Sequence, residues 1–169
     1  DPTSLKLRGA SKKFFKGIKD SKKLSSSERE LWFALALEAR REGALNFAVS
    51  LVSEKVIDRK GISYAIRLGI KRSLKVLGVS DDSQIFLDGS LKAPEQFVHQ
   101  LTVVRGDEKI PVISLASIVA KVTRDREMIK LSKLAKREGF TTVWGGHHPT
   151  ILPEQCISEE YIDFVVCGE

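Results

Sequence analysis

Only two cysteines occur in 169 residues, Cys156 and Cys167, and neither sits in a CxxC or other metal-ligand spacing. That argues against a disulfide framework and against thiol-ligated zinc. It points to a reducing compartment, here the cytoplasm, with both thiols acting as small hydrophobes near the C-terminus. No apolar run approaches the ~20 residues needed to cross a membrane, so no membrane partner is expected. A secretory signal is also missing, and the chain opens Asp1-Pro2 without Met, which reads as a processed or incomplete start. There is no HExxH. Adjacent histidines in a loop, His147-His148, with a distant His99, rarely share one ion, so no histidine metal site is expected. Repeats, low-complexity stretches and a Pro/Gly/Ser-rich linker are absent too.

What is present is enough chain for one domain with a core, and a surplus of base. Lys and Arg number 28 against 22 Asp and Glu, a net charge of +6 and a pI near 9.4. Such a balance suits a polyanionic partner, although ordinary soluble surfaces also carry surplus lysine. Much of the N-terminal excess lies in Lys6 to Lys23, with Lys12, Lys13, Lys16, Lys19, Lys22 and Lys23 clustered.

Local signals predict alternating elements. Ser25 with Glu28 can form a capping box (Ser27 with Glu30 is an equal alternative) for a helix to about Arg41, stopped before Gly43. Alternation of Phe47, Val49 and Leu51 reads as a strand over residues 46–51. A helix from Glu54 to about Leu77 follows, capped by Ser53, weakened at Gly61 and Gly69 and ended by Gly78. Short strands are expected at 84–88 and 99–104, then a long helix from Ser114 to about Lys136 with Gly139 past its end. Trp144 to Pro149 reads as a loop, and Ser158 to Val166 as a terminal helix or strand. Strands alternating with helices give an α/β layered domain.

Several residues are placed to carry chemistry. Asp88 ends a buried strand and precedes Gly89, where α/β sheets commonly bind ligands; the bland alternative is an Asp-Gly turn. Ser117, Lys121 and Asp125 are each four apart and share a helix face, with Ser114 near the stripe and Leu115, Val119, Val122 and Ile129 opposite. That stripe lines a site or faces solvent with a Lys121–Asp125 pair worth ~0.3 kcal/mol. Arg124 and Arg126 flank Asp125 and can meet phosphates or be plain surface charge. Lys22 and Lys23, after Asp20-Ser21, make a phosphate clamp or a solvated basic loop. Trp144 beside two glycines is more readily a packing residue than a base-stacking platform.

Four blocks in order resemble the ribonuclease HII family: Gly17 to Leu24 (GIKDSKKL), Ser53 to Asp58 (SEKVID), Leu87-Asp88-Gly89, and Arg105-Gly106-Asp107 through Arg126. The likeness covers roughly residues 17–140. It implies an α/β, ribonuclease H-like mixed sheet flanked by helices, and a four-carboxylate site using Mg²⁺ or Mn²⁺. It assigns Asp88 and Asp125 as catalytic metal ligands, and Lys22, Lys23, Ser117, Lys121, Arg124 and Arg126 as substrate-binding. The family's other two carboxylates form an adjacent Asp-Glu in an N-terminal motif absent from this sequence, so the first central strand is expected to be missing. Gly61 stands where the family usually has Asn, and Val143 to Thr150 (VWGGHHPT) departs from its Tyr-containing segment. The expected organisation is therefore a catalytic domain over 1–140 and a divergent tail over 141–169.

The implied function is endonucleolytic hydrolysis of the RNA strand in RNA–DNA hybrids, including ribonucleotides embedded in DNA, by a monomer. Without the Asp-Glu pair the chain itself is expected to be inactive or unstable. The rival expectations are a catalytically dead hybrid-binding module and a gene remnant.

Overall fold

A computed structural model of the chain describes residues 14–18 and 20–168. Lys6, Lys12, Lys13 and Lys19 of the basic cluster, and Asp1-Pro2, lie outside them. The chain divides into two compact units, Asp1–Val122 and Thr123–Glu169, with the division inside its longest helix. The boundary expected near residue 140 falls within the second unit. The architecture is α/β.

In the first unit, a 3₁₀ turn at Ser21–Lys23 leads into helix α1, Ser26–Arg41. The capping box forms at Ser25 and Glu28: the Glu28 N–H donates to Ser25 Oγ at 3.2 Å, and the Ser25 N–H donates to Glu28 Oε2 at 2.7 Å. Such a cap is worth ~0.5–2 kcal/mol. The alternating segment at 46–51 forms no strand. Phe47 turns inward, 6.2 Å from the Phe33 ring with the Arg40 guanidinium 5.1 Å over its own ring. Val49 and Leu51 stay exposed.

The single helix expected over 54–77 is two, α2 at Glu54–Lys60 and α3 at Ile62–Leu77. Gly61 separates them at φ 81°, ψ 162°, a conformation essentially reserved for glycine. Helix α3 ends as expected at Gly78, left-handed at φ 61°.

Strands β1 (Ile85–Asp88) and β2 (Gln100–Val103) pair in parallel, Ile85 opposite Gln100 and Asp88 opposite Val103. The connection over 89–99 has no helix. It packs Ala93 and Phe97 with Leu87 into a core that Ile70 and Leu74 of α3 cover. Gln100 fastens it, accepting from the Ala93 N–H and donating to the Phe97 carbonyl.

Helix α4 (Gly106–Lys109) follows, then the long α5 (Pro111–Arg137). Helix α5 starts earlier than expected because proline is suited to the first helical position. Its buried residues in this unit include Leu115, Ile118, Val119 and Val122. They pack against Leu24, Trp32, Phe33 and Ala36. Each such side chain contributes about 1.5–3 kcal/mol of burial.

The second unit holds the rest of α5, β3 (Val143–Gly145), α6 (His147–Ile151), α7 (Pro153–Ile157) and β4 (Phe164–Val166). The loop expected over 144–149 instead contributes the end of β3 and the start of α6. Strand β4 pairs in parallel with β3, Val143 opposite Phe164. Its core is Cys156, Tyr161 and Ile162, with Ile129, Trp144 and Val165 against it. Trp144 is a packing residue whose Nε1–H donates to Ser132 Oγ at 3.0 Å. Asp163 accepts from the Thr142 N–H at 2.8 Å and pairs with Lys136 at 3.1 Å. The Thr142 N–H and then Lys136 hold its carboxyl below the usual range. The mixed sheet expected from sequence is represented, among the described residues, by these two separate parallel pairs.

Candidate active site

Two parallel strands bring their carboxyl ends to the same side, and the site grows from there. Asp88 is the last residue of β1. Shortly after β2 ends, Arg105 takes the left-handed conformation at φ 56°, the one non-glycine residue with positive φ among the described residues. That turn aims the Gly106 N–H at Asp88 Oδ1, 2.7 Å away. Asp107, the next residue, is only 5% exposed. A side chain at position 106 would meet Asp88 Oδ1 at 3.3 Å, so glycine permits this approach.

The third component is the turn at Ser21–Lys23. Buried Asp20 caps it by accepting from the Lys22 N–H at 2.9 Å. Ser21 Oγ lies 3.0 Å from Ser117 Oγ, tying the turn to α5. Arg29 of α1 donates to the carbonyls of Ser21 and Leu24. From this anchored backbone Lys22 reaches Asp107 Oδ2 at 3.2 Å. Asp107, through hydrogen bond and charge, raises the ammonium's pKa above its ordinary value, with Asp20 and Asp88 adding to the effect. Lys23 stands 3.9 Å from Glu108, and Arg105 donates twice to the same carboxylate at 3.0 and 2.6 Å.

Of the residues singled out from sequence, the structure brings together Asp88, Lys22, Lys23 and Ser117 with their neighbours in the first unit. Lys121 is half-buried on α5, in the same unit. Asp125, half-buried, and the exposed Arg124 and Arg126 belong to the second unit's part of α5. Sequence reasoning passed over Asp107 and Asp20. The signal for Asp107 was available: Gly106-Asp107 follows the second strand much as Asp88-Gly89 ends the first.

Hard divalent cations take oxygen donors, and Mg²⁺ is commonly held by one or two carboxylates with waters and phosphates filling the rest. Asp88 and Asp107 are donors of that kind, and the Lys22 ammonium already stands in for a cation on one of them. By donor chemistry, and by their place on either side of the Gly106 N–H contact, the two carboxylates suit one such ion. Among the described residues no group of three or more His, Cys, Asp or Glu side chains is arranged to hold a metal.

The ribonuclease HII family model matches residues 11–150. The chain belongs to the ribonuclease HII family. Curated proteins named ribonuclease HII agree with that membership. The one from Psychromonas ingrahamii is 40% identical over 132 residues, covering 75% of this chain and 62% of its own length. Another from Aliivibrio fischeri is 37% identical over 143 residues, covering 85% and 65% respectively. A third, from Natranaerobius thermophilus, is 40% identical over 123 residues, covering 73% and 59%. The chain thus spans about three fifths of the length of these ribonuclease HII relatives. No helix among the described residues is long and apolar enough to cross a membrane.

Proposed function

We propose that, against the inactivity expected from the absent Asp-Glu pair, this ribonuclease HII chain hydrolyses the RNA strand of RNA–DNA hybrids, including ribonucleotides embedded in DNA. In this reading Asp88 and Asp107 hold Mg²⁺ or Mn²⁺. The observation that carries it is the Asp88–Gly106–Asp107–Lys22 assembly at the carboxyl ends of two parallel strands. When bound, a divalent ion supplies a polarised water and charge stabilisation at the leaving oxygen. The chain's own residues do the positioning. The Gly106 N–H fixes the Asp88 carboxylate, and burial fixes Asp107. Lys22 and Lys23, with Lys121 of the same unit, meet backbone phosphates, giving salt-sensitive affinity; Arg124 and Arg126, in the second unit, are further phosphate-binding candidates. Ser117 holds the turn that carries the two lysines. Discrimination of RNA from DNA rests on the ribose 2′-hydroxyl. The protein works as a cytoplasmic monomer.

Asp125 is the competing second ligand, from the helix spacing of Ser117, Lys121 and Asp125. The burial of Asp107 and its neighbourhood with Asp88 favour Asp107. A second reading, hybrid binding without cleavage, is favoured by the missing third acidic donor among the described residues.

The test is cleavage of a DNA duplex carrying one ribonucleotide, with Mg²⁺ or Mn²⁺ and with chelator. Metal-dependent cutting on the 5′ side of the ribonucleotide should disappear in Asp88→Asn and Asp107→Asn and survive in Asp125→Asn. Loss in Asp125→Asn with survival in Asp107→Asn would transfer the ligand role to Asp125. Chelator-resistant binding by a folded chain that never cuts would make it a binding module.

A further inference from the structure

We propose that Lys22 is a tethered counter-cation of the Asp88–Asp107 pair, which a divalent ion must displace from Asp107 in order to bind. The inference rests on the reading of that pair as the cation site. It adds that metal loading and release of the Lys22 ammonium are a single event.

Asp107 is 5% exposed, whereas the Lys22 side chain is 78% exposed. The carboxylate cannot leave, but the ammonium can swing into water on its flexible stem. The tether itself stays put. Asp20 caps the Lys22 N–H, Ser21 bonds Ser117, and Arg29 holds the carbonyls on either side. Displacement therefore needs only side-chain rotation.

The competition is for specific atoms. Lys22 Nζ occupies Asp107 Oδ2, and the Gly106 N–H occupies Asp88 Oδ1. An ion shared by the two carboxylates wants the oxygen that Lys22 holds. Without any cation, two neighbouring carboxylates repel, and Lys22 relieves that repulsion when no metal is bound. It also lowers the affinity of the metal that replaces it. By linkage the coupling is reciprocal: an anion that draws Lys22 away tightens metal binding, and the metal frees Lys22 for an anion.

The experiment is direct Mn²⁺ binding to the nucleic-acid-free chain, read from the spectrum of free aqueous Mn²⁺ by electron paramagnetic resonance. The proteins are the unaltered chain, Lys22→Met, Asp107→Asn and the double variant. Lys22→Met should tighten Mn²⁺ binding by roughly tenfold, toward the low end of site-to-site couplings because the pair is half in water. Asp107→Asn should weaken it, and Lys22→Met should add nothing on that background. An unchanged or weaker affinity in Lys22→Met, with binding still dependent on Asp88 and Asp107, overturns the counter-cation alone. Mn²⁺ binding that ignores Asp88→Asn and Asp107→Asn, or that is absent from folded protein, overturns the cation site and the counter-cation together. A second measurement needs no variant. Amine acylation at Lys22, read by peptide mass spectrometry, should accelerate several-fold on adding Mn²⁺ while the distant, exposed Lys75 does not change. Equal labelling with and without Mn²⁺ overturns the displacement.

Discussion

One methyl group at Gly106 should disturb both the packing and the site, by separable routes. The Gly106 backbone is not left-handed, so alanine meets no conformational barrier there. Its Cβ would instead lie 2.7 Å from Ile113 Cδ1, 3.3 Å from Asp88 Oδ1 and 3.5 Å from Val103 Cβ. Carbon atoms pack best at ~3.5–4.0 Å, so the overlap with Ile113 is about 1 Å. Ile113 is itself buried, so its Cδ1 must shift within the core to make room. Overpacking of this kind costs ~1–3 kcal/mol, offset by ~0.4–1 kcal/mol from stiffening the unfolded chain. Gly106→Ala should therefore destabilise by about 1–2 kcal/mol. Ile113→Val removes the colliding carbon and alone costs ~0.5–1.5 kcal/mol. In urea unfolding followed by circular dichroism, the double variant should be more stable than the sum of singles by about 1 kcal/mol. The Asp88 contact remains in the double variant, so its Mn²⁺ affinity should stay weakened while its stability recovers. Additive single effects, within ~0.5 kcal/mol, would refute the collision with Ile113.

Gly61→Ala should cost ~1–3 kcal/mol through backbone strain alone, since no neighbour lies within 4 Å of the added carbon; urea denaturation measures it. The Asp163 carboxyl is held below its ordinary value of 3.8, so its stabilisation is complete above that pH and is lost as pH falls through the lower folded value. Thermal melts of Asp163→Asn should accordingly lose part of the acid sensitivity expected below pH 4 in the unaltered chain. Burial pushes the Cys156 thiol up while Cys167 is exposed. A thiol reagent at neutral pH should therefore modify one cysteine quickly and the other only on unfolding.

Signals that act within one turn of chain were legible in the sequence. Ser25 and Glu28 made the capping box, Gly78 stopped α3, and the short apolar runs became β1 and β2. Readings that depend on a distant partner were less secure. Phe47, Val49 and Leu51 alternate like a strand, yet a strand exists only beside another. Here Phe47 finds Phe33 and Arg40, and the segment pairs with no strand among the described residues. Gly61 was visible as a weak point in a helix, but its φ of 81° was not. Trp144 looked like part of a loop because most of the apolar partners that order it, Cys156, Tyr161, Ile162 and Val165, come later in the chain. At the site, Asp88 was legible from the strand it ends. Helical spacing drew attention to Asp125 and away from the Gly106-Asp107 signal after the second strand, and it is parallel pairing that carries the end of β2 to Asp88.

Parallel pairing also constrains how the chain can fold. Neither strand pair can close as a hairpin, because Ile85 meets Gln100 and Val143 meets Phe164 only after the chain has travelled out and back. The ordering entropy of each connecting segment must be spent before any strand–strand bond returns it. Helices α1, α3 and α5 carry their own hydrogen bonds and can form first, offering apolar faces on which the connections condense. The Asp88–Gly106 bond lies past the end of the β1–β2 ladder, so it is among the last contacts available to a refolding molecule.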